Sequence, residues 1–123
     1  MSTHPTLGHG KICYMEIPAD DIQRSAAFYK EVFHWHIRND NDGNASFDDA
    51  VGEVSGTWVT GRKPATEPGL MVSIMVDSVA DTLDAIVING GKIIQTPDPA
   101  MREVFALFAD PAGNMMCLYQ SRH

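Results

Sequence analysis

Cysteine is scarce in this sequence. Cys13 and Cys117 are the only two, and no Cys-x-x-Cys occurs, which excludes a disulfide framework. Long apolar runs are missing as well, and none approaches the ~18 residues that a bilayer span needs. Basic side chains are outnumbered, nine against sixteen acids, for a formal charge of −7. A phosphate backbone or an anionic lipid surface repels such a chain, so neither nucleic acid nor membrane is an expected partner. The acidic surplus serves solubility first, with attraction of a cationic ligand as the alternative. Met1 to Lys11 has no apolar core of the secretory kind, so a cytoplasmic setting with reduced thiols is expected. What is present is ordinary globular material. Of 123 residues, 44% are hydrophobic and 20% charged, the length of one domain.

The organisation is internal and repetitive. Lys11 to Ile17 has strand character and stops at Pro18. Asp20 is a candidate N-cap with Gln23 three residues on, as in a capping box. Ile22, Ala26, Tyr29 and Phe33 then recur at helical spacing and predict a helix over about 21–33. Trp35 and Ile37 begin a second strand, Asn39 to Asn44 is turn chemistry, and short strands follow at about 45–49 and 54–60. The second half repeats the plan. Leu70 to Val76 is an apolar strand and Asp77 the candidate cap. Val79, Leu83, Ile86 and Val87 form the stripe of a helix over 78–89, and Gly90-Gly91 stops it. Ile93-Ile94, Val104 to Ala109 and Asn114 to Tyr119 are the remaining strands, with a turn at Asp110-Pro-Ala-Gly113.

A shift of 57 residues lays Asp20 on Asp77, Ile22 on Val79, Ala26 on Leu83, Ile37 on Ile94 and Gly56 on Gly113. Identities are few, so the weight lies in cap on cap, stripe on stripe and turn on turn. The expectation is an α+β fold of two tandem β-α-β-β-β modules, at about 11–61 and 69–120, joined by a linker over 62–68. A ferredoxin-like β-α-β-β-α-β arrangement has too few strands.

Met15-Glu-Ile-Pro-Ala-Asp-Asp-Ile-Gln-Arg-Ser-Ala-Ala-Phe-Tyr-Lys-Glu-Val-Phe33 resembles the opening module of the vicinal oxygen chelate proteins, the glyoxalase and bleomycin-resistance type. Phe108-Ala-Asp-Pro-Ala-Gly-Asn-Met-Met-Cys-Leu-Tyr-Gln120 resembles their closing hairpin. The resemblance implies a partly open, cupped mixed sheet, a ligand cavity shared by the modules, and a homodimer. Activities in this group run from glyoxalase, dioxygenase and epimerase reactions to metal-free drug sequestration, and fold alone does not choose among them.

Metal-using members place ligands at positions that the resemblance puts at Tyr14, Thr60, Met71 and Cys117. Those enzymes use His and Glu there, whereas a phenol, a hydroxyl, a thioether and a thiol make a poor site. No metal or other cofactor is therefore expected. His34-Trp-His36 offers a second metal-like pair, since residues i and i+2 of a strand share a face, but without a third ligand a surface role is expected. His4, His9 and His123 fall in the terminal segments. Alternation turns Tyr14 and Glu16 inward from the first strand, Trp58 and Thr60 from the fourth, Met71, Ser73 and Met75 from the fifth, and Met115, Cys117 and Tyr119 from the last. These ten form the candidate ligand-binding set for a small organic molecule. Cys13 alternates away and is assigned to packing, and Cys117 is read as an inert buried thiol. Glu16 is the one inward carboxylate, a candidate base together with Tyr14 if desolvated, or else a partner of Arg24, Arg102 or a backbone donor. Three functions follow: a metal-independent small-molecule binder, a lyase or isomerase using Glu16 or Tyr14 or a recruited divalent metal, and a structural domain with a filled cup.

Overall fold

A computed structural model describes residues 5–120, and the chain divides into two compact units between Lys63 and Pro64. His4 and His123 lie outside the described residues; His9 is exposed. Each unit carries strand, helix and three strands, so the α+β architecture expected from the repeat is present, as two open four-stranded mixed sheets.

The first unit contains β1 (Tyr14–Pro18), α1 (Ile22–Phe33), β2 (His36–Asn39), β3 (Ala45–Asp48) and β4 (Ser55–Val59). Its sheet runs β1-β4-β3-β2, with β1 parallel to β4 and the other pairs antiparallel. The core on the helix side is aromatic. Tyr29 stacks on Trp35 at 4.6 Å, Trp35 on Phe47 at 4.4 Å, and Phe47 meets Trp58 at 4.9 Å. Such ring contacts add to the large apolar area that each ring buries. Gly56 sits in β4 beneath this cluster, and a Cβ there would run into the Phe47 ring and the Met15 carbonyl oxygen.

The cap lies one residue later than expected. Asp21, extended at φ −127°, accepts from the Arg24 N–H at 3.1 Å, while Gln23 bonds Asn39 and the Gly43 carbonyl instead of closing a box on Asp20. The helix ends at His34, left-handed at φ 63°, a position where glycine carries no Cβ penalty. His34 therefore belongs to the helix terminus and not to a strand face shared with His36, and Trp35 between them is buried.

The second unit contains β5 (Ser73–Met75), α2 (Val79–Ile88), β6 (Lys92–Gln95), β7 (Val104–Ala109) and β8 (Met115–Gln120), in the order β5-β8-β7-β6. Here Ser78, not Asp77, is the N-cap, accepting from the Asp81 N–H at 3.1 Å. Val79, Leu83 and Ile86 are buried against Ala106, Phe108, Met116 and Leu118, whereas Val87 is exposed and leaves the expected stripe. Gly90, at φ 96°, ends the helix, and the Gly91 N–H closes on the Ile86 carbonyl at 2.8 Å. β5 is shorter than the expected 70–76, because Leu70 and Met71 are exposed ahead of the ladder.

The two hairpin turns correct the repeat. Asp49 Oδ1 accepts from the Glu53 and Val54 N–H groups, and Asp110 Oδ1 from those of Ala112 and Asn114. Gly52 and Gly113 both take positive φ and donate to those aspartates' carbonyls at 2.9 Å. Gly52, not Gly56, is thus the counterpart of Gly113. The 57-residue shift holds as far as the helices and fails beyond them, since the β6–β7 connection is longer than the β2–β3 one.

Candidate functional site

Each sheet has one face packed on its helix and one face free of it. In the first unit Ile17 and Trp58 are register partners on the helix side. Tyr14 pairs with Ser55 and Glu16 with Thr57 on the other face, together with Asp48 of β3. Tyr14 and Glu16 therefore lie on the helix-free face as expected from alternation. Trp58 does not. It is 2% exposed within the aromatic core, and its indole Nε1 has no hydrogen-bond partner among the described residues. Thr60 lies past the end of β4 and is exposed. A slip by an odd number of residues turns every side chain of a strand to the opposite face, and the 57-residue shift is three residues off in β4. In register terms the place of Cys117, which faces Ser73, belongs in the first unit to Thr57, which faces Glu16.

This face is polar and its groups are largely paired. Asp48 Oδ1 accepts from the Ser55 hydroxyl at 2.7 Å and from Arg38 Nη2 at 3.0 Å. The Ser55 hydrogen bond first, then Arg38, hold its carboxyl below the ordinary value of 3.8. The Thr57 hydroxyl donates to the Ala45 carbonyl at 2.7 Å. Within its unit Glu16 is half-exposed and not bound to Arg24. Its Oε1 meets Arg62 Nη2 at 2.7 Å, with 44% and 55% of the two side chains exposed. Cys13 is exposed, against the packing role expected of it.

The second unit's helix-free face is different in kind. Met75 and Ser73 of β5 stand beside Tyr119 and Cys117 of β8, and those beside Phe105 and Leu107 of β7. Met115 completes the β8 row, and Met71 is exposed ahead of β5. Met75 is 74% and Phe105 40% exposed, while Cys117 is buried and its thiol donates to the Leu118 carbonyl at 3.4 Å. Phe105, Leu107, Arg62 and the Asp48–Ser55 pair were not singled out from sequence. The alternation of Val104 to Ala109 was the available signal for the first two. Arg62 left none, since it stands in a segment of linker composition.

The positions at which the resemblance implies metal ligands are Tyr14, Thr60, Met71 and Cys117, and Thr57 stands where the register would put the second of them. None supplies imidazole or carboxylate, and no group of three or more His, Cys, Asp or Glu side chains able to hold a metal ion occurs among the described residues. The donor set does not fit a Zn²⁺-type centre.

A sequence profile described as the Glyoxalase/Bleomycin resistance protein/Dioxygenase superfamily matches residues 11–118. A glyoxylase-like domain-containing protein of Didymella fabae is 30% identical over 115 residues, spanning 86% of this chain and 90% of that protein. Among solved structures, a glyoxalase/bleomycin resistance protein/dioxygenase family enzyme from Burkholderia phytofirmans PsJN aligns with TM-score 0.74 at 16% identity, over 92% of this chain and 100% of that one. Fosfomycin resistance protein FosX from Mesorhizobium loti gives 0.72 at 15%, over 94% and 95% of the two chains. TnmS3, an antibiotic binding protein from Streptomyces sp. CB03234, gives 0.67 at 20%, over 97% and 100%. At such identities these structures share the fold and nothing narrower. Profile and relative together place the chain: it belongs to the glyoxalase/bleomycin resistance protein/dioxygenase superfamily.

Proposed function

We propose that the protein binds a small organic molecule without a bound transition metal, as a homodimer, using the helix-free sheet faces. The observation that carries this is the face of β5, β8 and β7. Phe105, Leu107, Met75, Met115 and Tyr119 make an apolar surface that no helix of their own unit covers. Methionine and aromatic side chains adapt to irregular or flat organic shapes. The antibiotic-binding function named for TnmS3, on the same fold, is consistent with such a use. The proton-transfer reading loses support, because Glu16 is solvated and ion-paired instead of desolvated.

Native mass spectrometry of freshly purified protein reports carried-over ligand, metal and oligomeric state together. A screen of aromatic fragments, read on the methyl resonances of Met75 and Met115, should then give saturable shifts that Met75→Ser and Phe105→Ser abolish while the fold is kept. Fragments that bind elsewhere, or not at all, overturn the reading. Substrate turnover lost in Glu16→Gln would favour the enzyme instead.

A further inference from the structure

We propose that Glu16 and Arg62 form a paired donor–acceptor site for a carboxamide group of the ligand, with Arg62 the specificity-determining residue. This rests on the proposal that the helix-free faces bind organic molecules, and it names the chemistry of one of them.

β4 ends at Val59, and Gly61, at φ 85°, turns the chain in a conformation that L side chains rarely adopt. Past that turn Arg62 reaches back over β1 to Glu16, Nη2 to Oε1, at 2.7 Å. An ion pair this exposed adds little to folding, so stability accounts poorly for it. The rest of the face is committed elsewhere. Ser55 and Arg38 are bound to Asp48, and the Thr57 hydroxyl to Ala45. Glu16 has no other partner among the described residues, and a guanidinium has five N–H donors, most of them left over when one nitrogen meets one oxygen. Tyr14, 54% exposed and two residues along the same face, adds an aromatic ring beside the pair.

A carboxylate next to a guanidinium presents an acceptor beside a donor with no net charge. The complementary ligand group offers a donor beside an acceptor and is also neutral. A carboxamide does this, its C=O accepting from Arg62 and its N–H donating to Glu16. A ligand carboxylate would meet Glu16 as a like charge, on a chain already at −7, and a ligand ammonium would meet Arg62.

The test uses three probes of one shape, benzamide, benzoate and benzylammonium, titrated by NMR on the backbone amides of Tyr14 and Glu16 and the Nε–H of Arg62. Wild type should bind benzamide about tenfold more tightly than either ion. Glu16→Gln leaves the guanidinium unpaired and should move the preference to benzoate. Arg62→Met leaves the carboxylate unpaired and should move it to benzylammonium. The same order of affinity in all three proteins overturns the assignment, as does the absence of benzamide shifts at residues 14, 16 and 62. Shifts confined to Met75 and Met115 overturn it while leaving small-molecule binding intact. No binding on either face takes both down.

Discussion

At Gly56 one missing methyl group decides whether β1, β3 and β4 can close. The space that a Cβ would need is filled by the Phe47 ring and by the Met15 main-chain oxygen, and backbone cannot swing aside as a flexible side chain can. Gly56→Ala should destabilise by about 3 kcal/mol, at the upper end of overpacking costs, seen as a lower urea midpoint with an unchanged slope. Asp48 has a consequence in pH. Its folded carboxyl titrates below the ordinary 3.8, chiefly through the Ser55 hydrogen bond, so it stabilises the fold above that value. That contribution is lost as pH falls through the folded value. Ser55→Ala should cost about 1 kcal/mol at neutral pH. The gap to wild type should narrow below pH 3.8, and a gap constant to the acid end would assign the loss to packing.

At the scale of elements, both helices begin one residue later than their best acidic candidates. Asp20 and Asp77 look like caps in sequence, yet the groups that accept the orphan N–H bonds are Asp21 and Ser78. Asp21→Ala and Ser78→Ala should each cost about 1 kcal/mol by urea denaturation, and Asp20→Ala and Asp77→Ala less than about 0.5 kcal/mol. The reverse order would restore the sequence-based assignment. The helical stripes were legible because 3.6-residue periodicity is a local pattern, and Ala26, Tyr29, Phe33, Leu83 and Ile86 are all buried as it implies. Strand facing was legible in β1 and β8, where it was read from the strand's own alternation. It failed in β4, where Trp58 was placed by alternation with Thr60, a position taken from the family pattern and the 57-residue shift and not from the pairing of β4 itself.

For the whole molecule the donor chemistry sets the expected response to chelators. A structural metal couples to folding, so its removal lowers the melting temperature. If Tyr14, Met71, Cys117 and Thr57 or Thr60 stand at the positions that the resemblance implies, EDTA should leave the melting curve in place and elemental analysis should find well under one metal per chain. One Zn²⁺ or Ni²⁺ per chain, with melting that drops in EDTA, would refute metal-independent binding. The proposed homodimer is testable at the β6 edge. Ile93 and Ile94 are exposed there, and Val87 and Ile88 are exposed on α2 in the same unit, whereas β2, the corresponding strand of the first unit, carries His36, Arg38 and Asn39. Lys92 puts one charge at the start of β6, and the exposed isoleucines beyond it are the part of that edge that invites pairing. Sedimentation should give about twice the 13.5 kDa chain mass, and Ile88→Lys with Ile94→Lys should return it to one. An unaltered dimer in the double variant would move the interface elsewhere, and a monomeric wild type would remove it.

By itself the sequence determined the order of elements, the duplication and the family, because periodicity, turn chemistry and the Met15–Phe33 and Phe108–Gln120 motifs are written within a few residues of one another. Only tertiary structure decided which side chains share a face once a strand pairs across a hairpin. There an odd difference in loop length inverts the outcome, burying Trp58 and bringing Thr57 beside Glu16. It also decided that Glu16 meets Arg62, since that contact depends on the backbone turn at Gly61, which carries a residue of linker-like sequence back across a finished sheet.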